Sequence, residues 1–216
     1  MLAVVAPDWL QTQSQPEWLE RYSERMEDYH LRISKARREQ QAQIYGADGK
    51  RLLDAILDGN SPNWLRQIPA VETLRKVWVQ QYYISDGRIQ WRTEQGIPPA
   101  TVMISSPYDL DAHYSKKNTT SWVGYKVHVS ATCEPNSVHL ITNVETTTAT
   151  MADGDVTESI HTSLARQNLL PNQHIVDTGY LDAELLVTSR SKHQVELLGP
   201  TRSDLRWQAK AGNGFA

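Results

Sequence analysis

In QHIVDTGYLDAELL, residues 173–186, an apolar run ends on Asp177, turns at Gly179 and restarts as a helix. An acid at the tip of a buried strand serves one of two ends. It can form a turn, because Asp accepts a hydrogen bond from its own backbone two residues on. It can instead hold a hard cation, since magnesium takes oxygen donors. A strand end fixes the carboxylate while the turn leaves access to it, and Gly179 is expected to allow a backbone conformation that other residues resist.

The other chemistry-bearing residues are more ambiguous. Lys126 and His128 share one face of WVGYKVHVSA, so Lys126 either meets a phosphate or lies on a solvated strand face. Asp153 and Asp155 are expected in a turn and at a helix cap, and Glu184 in an exposed first helical turn. His139, His161 and His174 have no metal-ligand spacing. The basic run RISKARREQ reads as a solvated helix face more readily than as a DNA-facing patch. GADGK, from Gly46, lacks the spacing of a phosphate loop and the Ser or Thr after its Lys. No Gly-x-Ser-x-Gly elbow suggests a serine hydrolase. One cysteine, Cys133, excludes an internal disulfide framework and a Cys-rich zinc site.

The elements that position these residues change character near the middle of the chain. Residues 1 to 93 read as helical. Trp18, Leu19, Tyr22, Met26 and Tyr29 recur at three- and four-residue steps, as do Leu52, Leu53, Ile56 and Leu57, and then Leu74, Val77, Trp78 and Tyr82. Gly96, Pro98 and Pro99 mark a boundary, giving a helical region 1–98 and a second region 99–216. In the second region WVGYKVHVSA alternates. Val123, Tyr125, Val127 and Val129 lie on one face, and Trp122, Gly124, Lys126, His128 and Ser130 on the other. CEPNS supplies a turn and VHLITNVETT a second strand, so an antiparallel hairpin of about 122–131 with 138–147 is expected. A helix follows, with Asp155 as its expected N-cap. Then come a strand ending near Asp177, a helix capped by Asp182, and a strand in QVELLGP. The layout is mixed α/β, with helices packed on a sheet. A further strand beside the hairpin is wanted, and residues 100–118 offer only TVMIS.

Composition bounds the function. In 216 residues, 39% are apolar, enough for a core, and the net charge of −3 gives no global basic field for nucleic acid. DNA contact then needs a local patch, and binding is expected to be weak, salt-sensitive and sequence-independent. MLAVVAPDWL has no basic n-region, and Pro7 and Asp8 cut its apolar run short. No signal peptide and no membrane span are read, and with a single cysteine a reducing cytoplasm is expected.

SPYDLDAHYSKKNTTSWVGYKVHVSATCE, HLITNVETTTAT, LLPNQHIVDTGYLDAELLVTSR and GPTRSDLRWQAKAGNGF together resemble a DDE-type insertion-sequence transposase of the IS-eleven-eighty-two group. GYKVH and VDTGY in this order are fairly specific, and APDWL and WLRQIPAVETLRKVW extend the likeness through nearly the whole chain. The resemblance implies an RNase H-like core, two magnesium (or manganese) ions and cutting and joining of DNA by a homo-oligomer on element ends and target. It implies that Asp177 is the second of three catalytic carboxylates and a metal ligand. The first acid would lie upstream of Met1, since residues 1–98 resemble a helical insertion, and the third, a Glu, beyond Ala216. Residues 99–216 would then be a partial core without its first strand and C-terminal part. Asp109 and Asp111 are candidate substitutes for the first acid, although Pro107 favours a loop there. Two functions are compatible with this reading: part of a strand-transfer enzyme, or a catalytically silent remnant that binds DNA or an intact transposase.

Overall fold

The computed structural model describes residues 1–22, 34–93 and 96–200. Met26, Tyr29, Arg32 and the TRSDLRWQAKAGNGF segment lie outside the described residues. The chain divides into two compact units, residues 1–114 and 115–216.

The first unit begins with short helices α1 (Leu2–Val5), α2 (Pro7–Gln13) and α3 (Pro16–Tyr22). Pro7 stands in the first turn of α2, where its fixed φ suits the helix and its missing N–H is no loss. The long helix α4 (Lys35–Leu57) is capped by Ser34, whose hydroxyl accepts from Arg37 N at 3.3 Å. A 3-10 turn (Asn63–Gln67) leads into α5 (Pro69–Gln81). Their apolar stripes close a core of Ala6, Leu53, Ile56, Leu65, Ile68 and Val71, with Trp9, Leu74 and Trp78 packed against it.

The helical period of VWVQQYY does not continue. Tyr82–Ser85 (β1) and Arg88–Trp91 (β2) form an antiparallel hairpin instead of the expected helix end. Asp86 and Gly87 both have positive φ, 49° and 71°. This is the two-residue turn whose twist matches that of paired strands. The hairpin packs on α4, where Tyr82 Oη donates to Ala42 O at 2.8 Å and Trp78 Nε1 to Gly46 O at 2.9 Å. GADGK therefore sits inside a helix, and Gly46 is needed for close approach: a Cβ there would lie 2.6 Å from Tyr82 Cε1.

TVMIS forms no strand. The strand beside the long hairpin is β3 (His113–Lys117), followed by β4 (Thr120–Ala131) and β5 (Ile141–Thr148), in the order β3-β4-β5. β4 and β5 pair antiparallel as expected, with Val127 opposite Thr146 and His128 opposite Glu145. A 3-10 turn (Gly154–Val156) precedes α6 (Thr157–Arg166). Asp155 is not its side-chain cap; the residue before α6 is Val156, and no side-chain cap bond forms. The reason is that the 3-10 turn winds the chain one step earlier than the capping pattern assumes. β6 (Gln173–Ile175), a 3-10 turn (Thr178–Tyr180), α7 (Ala183–Thr188), a π turn (Ser189–His193) and β7 (Glu196–Leu198) complete the unit. Asp182 does cap α7, accepting from Leu185 N at 2.8 Å. β6 and β7 pair in parallel. The fold is mixed α/β. Among the described residues no helix is long and apolar enough to cross a membrane.

α6 contributes Ile160 and Leu164, which with Val156 form a buried cluster against Leu170 and Tyr180. The face of β4 turned inward is the polar one. His128 is 3% exposed, whereas Val127 and Val129 are 62% and 56% exposed. Burying polar side chains is tolerable only when they are hydrogen-bonded. Here His128 bonds Tyr180 and Thr147, and Asn143 accepts from Ser163 Oγ at 2.8 Å.

Candidate functional site

Packing of the two 3-10 turns brings Asp153 and Asp177 together. The turn before α6 and the turn after β6 meet where Thr157 Oγ1 donates to Tyr180 O at 3.2 Å. Asp177 precedes the second turn and accepts from Gly179 N at 2.7 Å. The turn-forming role of Asp177 is thus present, and it uses Oδ1 alone. Gly179 does not have the left-handed conformation expected of it, since the glycines with positive φ are Gly87 and Gly124. Its value is space. A Cβ at Gly179 would lie 3.0 Å from Asp153 Oδ2 and 3.0 Å from Asp177 Oδ1. The two carboxylates thus face a common gap that only glycine leaves open.

Lys126 reaches this gap from β4. Its Nζ lies 2.9 Å from Asp153 Oδ1 and donates to Met151 O at 2.6 Å. It is therefore the counter-ion of Asp153 and not a lysine on an open strand face. Asp153 is the residue that sequence reasoning undervalued. It lies in the expected turn, and that turn position is what aims it at Lys126 and Asp177. Pattern alone gave no signal, because the pairing spans 27 residues to Lys126.

His128 and Tyr180 complete the wall. Their ring nitrogen and hydroxyl lie 2.5 Å apart, and His128 Nε2 is 2.9 Å from Thr147 Oγ1. Burial, and then the charges of Asp153 and Asp177, push the Tyr180 hydroxyl above its ordinary pKa. A protonated phenol donates, so Tyr180 O–H gives to Nδ1, and Nε2–H is left to give to Thr147.

These side chains line a cleft of about 470 Å³ that also includes Lys116, Lys117, Trp122 and Tyr125. Three ammonium groups and two carboxylates therefore share one cleft in a chain whose overall charge is negative. With Lys126 paired to Asp153, Lys116 and Lys117 supply the cleft's unneutralised positive charge against Asp177. Asp109 and Asp111 belong to the other compact unit. They form an exposed turn in which Asp111 N donates to Asp109 Oδ1 at 3.2 Å. Glu184 lies in the exposed first turn of α7.

The gap over Gly179 is the test of fit for a cation. Two oxygens converge on it, and magnesium commonly takes one or two carboxylates and keeps several waters. Asp153 and Asp177 would hold at most one hydrated ion, since Asp177 Oδ1 already accepts from Gly179 N and Asp153 Oδ1 already pairs with Lys126. They do not fit a pair: among the described residues, no group of three or more His, Cys, Asp or Glu could hold a metal. Compared with protein-family models, curated proteins and solved structures, the chain matches none of them.

Proposed function

We propose that residues 115–200 are the central part of an RNase H-like, DDE-type transposase core, in which Asp177 is the second catalytic acid and DNA is the substrate. The observation that carries this reading is the convergence of Asp153 and Asp177 on the gap above Gly179, within a cleft that also holds Lys116, Lys117 and Lys126. The sequence resemblance singled out Asp177 independently of that geometry.

A bound magnesium or manganese ion would supply Lewis acidity and an activated water. The chain's own residues do the rest. Asp177 and Asp153 would hold the ion. Lys126 neutralises Asp153 when no ion is present. Lys116 and Lys117 attract a phosphodiester backbone. Tyr180, whose O–H is given to His128, presents its oxygen as an acceptor in the same cleft.

An in-line two-metal displacement needs more carboxylate than this cleft contains. The chain alone therefore binds one divalent ion and DNA weakly, and does not cut. The experiment is a manganese titration of the purified chain, followed by paramagnetic broadening, in parallel with a magnesium- or manganese-dependent nicking assay. The expected result is one weak manganese site lost in Asp177→Ala, without nicking. Manganese binding that survives Asp177→Ala overturns the site. Nicking that vanishes in Asp177→Ala overturns the inactive reading of the isolated chain and leaves Asp177 in its catalytic role.

A further inference from the structure

Three histidines distant in sequence, His161, His174 and His193, meet inside the second unit. His161 on α6 is fully buried, at 0% exposure. Its Nε2 lies 3.0 Å from His174 Nδ1 on β6. The His193 ring, on the π turn, stands nearly edge-on at 5.5 Å between centroids. The remaining nitrogens His161 Nδ1 and His193 Nε2 are buried without a hydrogen-bond partner.

A neutral pair suits this arrangement. One imidazole N–H donates to the other's lone pair across 3.0 Å, and the bare Nδ1 of His161 then needs no acceptor. Adding a proton changes both terms. It puts a charge in a buried place, and it puts an N–H on a nitrogen with no acceptor. If the proton goes instead to the shared nitrogen, the histidine–histidine bond is lost.

The groups acting on His161 come from each element packed against it. His174 comes from β6 and His193 from the π turn. Glu158 lies one turn earlier on α6, and its carboxylate is taken by Lys192 at 2.7 Å. β5 contributes the neutral Asn143, and Glu196 of β7 is held by Gln173 at 2.8 Å. Among the described residues Glu158 is the carboxylate that favours an imidazolium at His161, and it is already paired. Burial first, then His174 and His193, depress His161 from 6.5 to about 4, and burial lowers His174 as well.

We propose that His161, His174 and His193 form an acid-released clasp that holds α6 against the β6–π-turn segment. Because His174 is three residues before Asp177, release loosens the strand end that carries that acid. The clasp rests on the histidine geometry alone and does not depend on the transposase reading. The direction follows from linkage. The folded state binds the proton less readily than the unfolded chain, so the clasp contributes fully above about pH 6.5 and is lost as pH falls toward 4.

The test is hydrogen exchange on the full chain between pH 7 and 4.5, corrected for intrinsic rates. Peptides covering 157–176 and 183–198 are expected to lose about tenfold or more of their protection, one pKa unit being a factor of ten, while α4 peptides hold theirs. In the variant His161→Gln with His174→Gln the selective loss disappears. A wild-type chain that loses protection uniformly, or a variant that keeps the selective loss, overturns the clasp. Should the variant not fold, a proton titration of the wild-type imidazoles decides. His161 and His174 are expected to take up protons below the ordinary imidazole value, and ordinary midpoints for both refute the proposal.

Discussion

The carboxylates of Asp153 and Asp177 face each other across the space where Gly179 has no side chain, each 3.0 Å from the position a Cβ would take. The backbone φ of Gly179 is not left-handed, so alanine is tolerated by the chain and disfavoured only by the gap it fills. Gly179→Ala is therefore expected to keep the fold and to weaken manganese binding by about tenfold or more, equivalent to about 1.4 kcal/mol. Circular dichroism and manganese relaxation titration on the same sample check both halves. Unchanged binding would show that the ion, if held, is held elsewhere.

Lys126 sits on Asp153 at 2.9 Å and competes with any cation for it. Lys126→Met keeps the stem's packing and removes the ammonium. Divalent binding is expected to tighten several-fold, since a like charge leaves the site. Binding of single-stranded DNA is expected to weaken, with the salt slope falling by about one. Isothermal titration with manganese, and anisotropy of a labelled oligonucleotide at several salt concentrations, measure the two effects. Both affinities moving in the same direction would contradict the assignment of Lys126 as an exchangeable counter-ion.

Tyr180→Phe leaves His128 Nδ1 buried without its 2.5 Å partner. The expected cost is about 1–3 kcal/mol, the penalty for orphaning a buried polar group. Urea unfolding gives the number. Adding His128→Leu in the Tyr180→Phe background removes the orphan, so the second substitution should cost less there than alone.

How much of this was legible varies with the range of the interaction. The β4–β5 hairpin follows from local alternation and a polar turn, and its pairing falls where the pattern sets it. The same alternation defines two faces without saying which is inward. The valine face is the exposed one, because on the other side His128 bonds Tyr180 and Thr147, and Ser163 donates to Asn143. At Tyr82 the helical spacing ran on past the true end of α5. The Asp86-Gly87 turn is a stronger local signal, since only a few residues adopt two successive positive φ angles. Asp177 was visible from its strand-end position. Asp153 and the histidine cluster were not, because Asp153 lies 27 residues from Lys126, and His161 lies 13 and 32 residues from His174 and His193, so only tertiary packing joins them.

Gly46 offers a test of the first unit. Alanine is the better helix former, by about 1 kcal/mol, and α4 is long and regular at this point. Against this, the new methyl would sit 2.6 Å from Tyr82 Cε1. The ring must move, at about 1–3 kcal/mol for overpacking, and the Tyr82 Oη to Ala42 O bond, worth about 1 kcal/mol, is strained or lost. The packing terms win, so Gly46→Ala is expected to destabilise the unit by about 1–3 kcal/mol in urea unfolding. Tyr82→Leu shortens the side chain that collides. If the clash is the cause, Gly46→Ala costs little or turns stabilising in the Tyr82→Leu background, where only the helix preference remains. An equal cost in both backgrounds would place the effect within α4 and not at its contact with the hairpin.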